Sequence, residues 1–366
     1  MVQADPVEDT PPGRTRRRVV AVVGALVVVA ALGVATWWFV RSAGSPRSST
    51  TRDATAAPAP TPGPTSGPYL APLTGLPSST GDRPRALVVK VDAAPEVSRF
   101  TGLQRADMID EVLVEGGITR YLAVFQSGDP ASVGPVRSIR TSDFALVANL
   151  GTPIVVYSGA DRLTGRAIPS GVFVPFDPDS PGGDAAFHRD RSLRPPHNLF
   201  VSPSAVRSAV GDPGTVVAPF AHLGPGQEPP PGTAAAGVRI RFTPETEVTF
   251  RWDRARREWL RWRGGRPEVD ESGRQLGVTS VVVLDISYVH PPWDRSAPQA
   301  VTTGRGGGML LVDGTARPVL WSRPSTVSPF TLVGAGGTPV ALPAGRTWVE
   351  LPAVGTATEI LPPSLG

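Results

Sequence analysis

Between Val19 and Val40 the chain reads VVAVVGALVVVAALGVATWWFV, 22 residues without a charged side chain. As a helix rising 1.5 Å per residue this run spans about 33 Å, enough to cross a hydrocarbon layer of about 30 Å. A chain carrying such a segment near its start is divided by a membrane. Trp37 and Trp38 stand at the far end of the run, where indole rings settle at the headgroup level. Arg14, Arg16, Arg17 and Arg18 precede it, and only Arg41 and Arg47 follow closely. The positive-inside bias therefore predicts a cytoplasmic N-terminus over 1–18, a single-pass anchor in the plasma membrane over 19–40, and the bulk of the chain outside. A cleaved signal peptide has a shorter apolar region, roughly 7–15 residues, ending in small side chains. This run is longer and ends in bulky aromatics, so an uncleaved signal-anchor is expected.

From 41 to 68 the chain is a linker of Ser, Thr, Ala and Pro, including APAPTPGPTSGP. It lacks the apolar surface to offset its ordering entropy, and a proline-rich spacer extends by about 3.1 Å per residue. The 366 residues contain no Cys, which excludes disulfides, thiolate metal sites and lipidation on cysteine. The net charge of +4 invites a nucleic-acid reading, yet residues 1–53 hold seven Arg against four acids. The remainder carries 29 basic and 28 acidic residues, with no basic stripe, so no nucleic-acid partner is expected.

Over 69–211 the runs ALVVKVD, EVLVEGGITRYLAVFQ and IVVYSG read as strands, and TSDFALVANL and SPSAVRSAV as helices. A Pro/Gly/Ala-rich stretch at 212–237 reads as an interdomain linker. Over 238–355, short Val-, Trp- and Phe-rich runs are split by turn signals, among them a hairpin closed by Asp313-Gly314 and another in WDRARREWLRW. Residues 356–366 are set apart as a tail. The fold class predicted is α+β: a mixed α/β, sandwich-like N-terminal domain followed by a smaller β-rich domain, preceded by one transmembrane helix.

Three groups of residues could carry chemistry. If Gly116-Gly117 closes a two-residue hairpin, Glu111 and Glu115 flank Arg120 on one sheet face, as an acid–base pair or as a Glu–Arg–Glu ladder. Arg137 and Arg140 stand just before the helix at Thr141, where paired guanidinium forks suit a phosphate, sulfate or carboxylate. Asp143 caps that helix, pairs with Arg140, or acts as a base. His197, stiffened by Pro195-Pro196 and followed by Asn198, is a candidate proton carrier near neutral pH. The spacing of the four His supports no metal site, and no cofactor is implied. Trp252, Trp259 and Trp262 read as cross-strand packing or as a glycan-stacking platform.

Taken together, ALVVKVDAAPEVSRFTGLQRADMIDEVLVEGGITRYLAVFQ, VGPVRSIRTSD, RPPHNLF, GGGMLLVDGTARPVLWSR and AGRTWVELP resemble the YerB-like family, domain of unknown function 3048. The resemblance covers nearly all of 69–352. It implies an N-terminal α+β domain and a β-rich C-terminal domain, exported and often held by a lipid on cysteine; lacking Cys, this chain would use the 19–40 helix instead. The resemblance supplies no reaction. A fainter fold-level analogy, to the LytR-CpsA-Psr phosphotransferases of the cell wall, is associational only.

These readings converge on a membrane-anchored cell-envelope protein that binds an anionic wall or lipid-linked glycan through Arg120, Arg137, Arg140 and Asn198. The alternatives are a hydrolase or phosphotransferase acting on envelope polymers, with Glu111, Asp143 and His197 as acid, base and proton carrier, and a protein–protein scaffold.

Overall fold

A computed structural model describes residues 69–79, 84–211, 214–229, 231–291 and 295–363. The segments read as cytoplasmic N-terminus, transmembrane helix and linker lie outside these residues. Among the described residues no helix is long and apolar enough to cross a membrane.

Runs dense in Val, Ile, Leu and aromatics become strands buried on both faces, as in Leu87–Asp92 and Thr119–Phe125, where every residue is shielded from solvent. They build one twelve-stranded mixed sheet. From one edge its order is Pro339–Val340, Thr331–Val333, Thr315–Arg323, Gly304–Val312, Ser280–Leu284, Thr347–Leu351, Met108–Leu113, Thr119–Phe125, Leu87–Asp92, Ile154–Val156 and Val174–Phe176, with the twelfth strand, Thr233–Ala234, beside Thr315–Arg323. The join is Thr347–Leu351, which pairs in parallel with Ser280–Leu284 on one side and with Met108–Leu113 on the other. Both halves of the sequence thus share a single sheet.

A second sheet runs Arg266–Pro267, Glu258–Arg263, Glu247–Asp253, Gly237–Arg241, Thr358–Leu361, with Gly277–Val278 beside Glu258–Arg263. It packs Phe250 against Trp348 of the large sheet, ring centroids 5.8 Å apart. Among the described residues the α-helices are short: Thr141–Val147, Arg162–Arg166, Gly183–Ala186 and Pro203–Val210. The helices expected at Thr141 and Ser202 are therefore present, the second capped by the Ser202 hydroxyl, and all four lie before Gly211, while strand outweighs helix among the described residues as a whole.

Two expected boundaries look different in three dimensions. Within 212–237, Thr233–Ala234 pairs with the strand Thr315–Arg323, and Phe220 stacks on Phe330 at 5.4 Å. Within the supposed tail, Thr358–Leu361 pairs with Gly237–Ile240. Both stretches are Pro-, Gly- or Thr-rich, and their short pairings borrow their stability from long neighbouring strands. The two hairpins form as read: Asp313 and Gly314 take φ of 47° and 71°, and Trp252 stands directly across from Trp259. The latter is fully buried, and Trp262 lies under Arg251 at 5.0 Å, so cross-strand packing accounts for all three tryptophans.

Candidate functional site

The hairpin joining Met108–Leu113 to Thr119–Phe125 sets the chemistry of the sheet. A two-residue turn was expected; instead the backbone N–H of Val114 donates to the Ile118 carbonyl at 2.9 Å, enclosing three residues, Glu115–Gly117. Gly116 and Gly117 both take positive φ, 77° and 71°, which glycine adopts without strain. The extra residue shifts the register by one, so Arg120 stands opposite Val112, and Glu111 opposite Tyr121. Since side chains alternate between faces, Glu111 and Arg120 are sent to opposite sides of the sheet. The predicted Glu111–Arg120 pairing is thereby corrected.

On Glu111's side, the face toward the second sheet, a fully buried Arg261 binds three carboxylates. Its guanidinium donates to Glu111, to Glu268 and to Glu350, the last at 2.5 Å. The Tyr121 hydroxyl donates to Glu268 at 2.9 Å, and Arg263 pairs with Glu268 at 2.7 Å. Trp348 lies 4.3 Å from the Arg261 guanidinium carbon, ring centroid to carbon. Burial, reinforced by the Glu111 charge and only partly offset by Arg261, pushes Glu350 well above the usual carboxylate range. Glu111 is sealed from solvent here.

The other face carries Lys90, the chain's one lysine, fully buried and bonded to Asp143 at 2.6 Å. Burial outweighs that pairing and lowers the Lys90 pKa. Asp143 accepts in addition from the Arg140 backbone N–H at 2.8 Å, capping the helix Thr141–Val147. Of its three expected roles, capping is realised, and its charge is spent on Lys90 rather than on the Arg140 guanidinium. Nearby, burial pushes Asp110 up to about 7, against the opposing pull of Arg323 and Lys90.

Toward the end of the strand Leu87–Asp92 the three predicted arginines converge. Arg120, 3% exposed, donates to the Ser138 carbonyl at 3.0 Å and to Glu115 at 3.2 Å. Arg140 binds the same carboxylate with a two-point contact, Nε to Oε2 at 2.8 Å and Nη2 to Oε1. Burial raises the Glu115 pKa, but Arg140 and Arg120 overcome this and hold it down to about 2. Burial and the neighbouring Arg140 and Arg137 lower the Arg120 pKa, which shows how closely the three cations crowd.

Arg137 differs from its neighbours. Its Nε approaches Asp92 Oδ2 at 3.1 Å without the alignment of a hydrogen bond, its side chain is 25% exposed, and its terminal nitrogens have no partner among the described residues. Asp92 Oδ2 is also 2.7 Å from Nδ1 of His197, whose side chain is 23% exposed. His197 lines a cleft of about 770 Å³ together with Arg99, Arg194, Ser98 and Ser192. Asn198, expected to touch ligand, is 4% exposed. It accepts from Arg189 at 2.8 Å and donates to the Asp190 carbonyl at 3.2 Å, which braces the loop presenting His197.

The structure thus unites Arg120, Arg137, Arg140 and His197 at one end of the sheet, and leaves Glu111, Asp143 and Asn198 as internal supports. Asp92 was missed as a partner, whereas Glu115 was expected beside Arg120 and is found there. Asp92 ends a strand whose other residues, apart from Lys90, are apolar, and an acid closing such a run is the signal that could have exposed it. Among the described residues no group of three or more His, Asp or Glu is placed to hold a metal ion.

Residues 73–215 match the family model described as protein of unknown function (DUF3048), N-terminal domain, and residues 238–349 match the C-terminal domain of the same family. The chain belongs to the DUF3048 family. One relative is a protein of Bacillus subtilis (strain 168), YerB, whose name includes the word lipoprotein; it is 27% identical over 291 residues, covering 77% of this chain and 85% of YerB. The crystal structure of the YerB protein from Bacillus subtilis superimposes with a TM-score of 0.68 at 23% identity, over 80% of this chain and 99% of that one. That likeness supports the DUF3048 fold; the arginines and His197 remain a reading of this chain's own geometry.

Proposed function

We propose that this DUF3048 protein is a cell-envelope protein, tethered at the outer face of the plasma membrane through the apolar segment 19–40, and that it binds an anionic wall or lipid-linked glycan at Arg137. The location draws support from the arginine asymmetry around 19–40 and from the word lipoprotein in the name of its relative. The binding reading is carried by one observation: in a crowd of three arginines, Arg140 spends its guanidinium on Glu115 and Arg120 divides its fork between Glu115 and the Ser138 carbonyl, while the fork of Arg137 stays unspent and partly exposed. A guanidinium in that state offers two parallel donors to a phosphate or carboxylate.

The test is calorimetric titration of the full-length chain in detergent with glucosamine 1-phosphate. Binding is expected, weakened at least about tenfold in Arg137→Ala, the loss of one or two charge-assisted hydrogen bonds. Absence of binding, or equal binding by the variant, refutes the reading.

A further inference from the structure

We propose that Asp92 and His197 form an acid–base pair that hydrolyses a phosphate ester held by Arg137, an activity that rests on the anion-binding reading above. The imidazole is oriented as such chemistry requires. Asp92 Oδ2 lies 2.7 Å from His197 Nδ1, and the Asp92 side chain is 1% exposed. Asp92 is itself fixed: Oδ1 accepts the Ala94 backbone N–H at 3.1 Å, and its own N–H donates to the Pro135 carbonyl at 2.8 Å. A carboxylate facing Nδ1 places the ring proton there and leaves the lone pair on Nε2.

That second nitrogen is what separates this pair from a bracing contact. A histidine serving packing alone commonly spends both ring nitrogens on the protein; here Nε2 makes no hydrogen bond among the described residues, and the ring borders the cleft. Arg99 and Arg194 line the same cleft together with the carboxylates of Glu96, Asp190 and Glu271, so His197 borders a cleft of mixed charge in which guanidinium groups are within reach of an anionic substrate. Arg137 Nε and His197 Nδ1 lie 3.1 and 2.7 Å from the same oxygen of Asp92, which brings the two side chains together at one carboxylate.

Arg137 then holds the phosphoryl oxygens and stabilises their charge as it develops. Nε2 takes a proton from a water molecule as the water oxygen bonds to phosphorus. The bond from phosphorus to the ester oxygen breaks with its electron pair, and that oxygen takes the proton back from Nε2. One water is consumed, one alcohol and one phosphate are released, and Asp92 stabilises the imidazolium between the two transfers without taking a proton itself.

The experiment incubates the full-length protein with p-nitrophenyl phosphate and with bis(p-nitrophenyl) phosphate and follows nitrophenolate release, so that the two arms distinguish a monoesterase from a diesterase. Turnover of one of them is expected, reduced by about 100-fold or more in His197→Ala and partly restored by added imidazole. His197 is partly exposed, so the variant should keep its melting temperature and the comparison does not depend on the buried Asp92. Turnover of neither ester, or undiminished turnover in His197→Ala, overturns the proposal. If the same preparations still bind glucosamine 1-phosphate through Arg137, the acid–base pair alone has failed; if binding is absent too, the underlying anion-binding reading has failed with it.

Discussion

The two faces of the large sheet carry comparable numbers of charges under opposite conditions. Around Arg261 the charges are sealed: Glu111, Glu350 and Arg261 have fully shielded side chains, and three carboxylates, a tyrosine and two arginines bind one another, with Glu350 Oε2 alone of these carboxylate oxygens buried without a hydrogen-bond partner among the described residues. At the end of the strand Leu87–Asp92 the balance is incomplete. Arg120, Arg137 and Arg140 face Glu115 and Asp92, one guanidinium fork is unspent, and the edge of the group reaches solvent. A network sealed from solvent holds the protein together. One with an unspent donor at a wet edge can hold something else.

The largest effect should come from breaking the sealed side. Arg261→Met strands three buried carboxyls, and removing one partner of a buried ion pair costs about 3–5 kcal/mol. Chemical denaturation should show the variant at the margin of folding. A loss below about 1 kcal/mol would mean that the network is wetter than its burial indicates.

Next is Asp110, which shares a face with Arg120 but is enclosed. Burial pushes its folded-state pKa up to about 7, well above the ordinary aspartate value of about 4. The folded protein therefore binds more protons than the unfolded chain between those limits, so this group's contribution to stability is complete below about pH 4 and is lost as pH rises through 7. At roughly 1.4 kcal/mol per unit this amounts to a few kcal/mol. Asp110→Asn should raise the melting temperature at pH 8 and change it little at pH 4; an unchanged pH profile would contradict the assignment.

Smaller effects are expected at the open side. Glu115 is held down to about 2 by Arg140 and Arg120 against its burial, so its contribution is present above about pH 4.5 and is lost as pH falls through 2. Glu115→Gln at pH 7 should cost no more than about 1 kcal/mol, because the carboxylate is partly exposed and screened. Arg137→Ala should cost less still, since its contact with Asp92 lacks hydrogen-bond alignment. Equilibrium unfolding of both variants beside Arg261→Met would rank the two faces directly.

Much of the fold was legible in local pattern. The hairpin at Asp313-Gly314, the helix after Ser202 and the strand LVVKVD each follow from a few adjacent residues. What escaped depended on distant partners. Glu111 meets Arg261 across 150 positions, and Glu350 reaches it from the strand Thr347–Leu351. No spacing rule announces such a cluster. The three arginines were found because Arg137 and Arg140 are neighbours in sequence, whereas Glu115, which decides that only one of them is unspent, was assigned to the wrong register by a single turn residue. The shared sheet was hidden for a related reason: its two sequence halves meet only through the parallel strand Thr347–Leu351, and parallel pairing leaves no turn signature.

The most direct test of the contrast compares the affinity of glucosamine 1-phosphate for wild type, Arg137→Ala and Glu115→Gln in one calorimetric series. Removing the unspent fork should weaken binding at least about tenfold, while removing the carboxylate that occupies Arg120 and Arg140 should strengthen it several-fold. Equal affinities in all three proteins, or a shift in the same direction for both variants, would contradict an anion site built on the imbalance between these arginines and their acids.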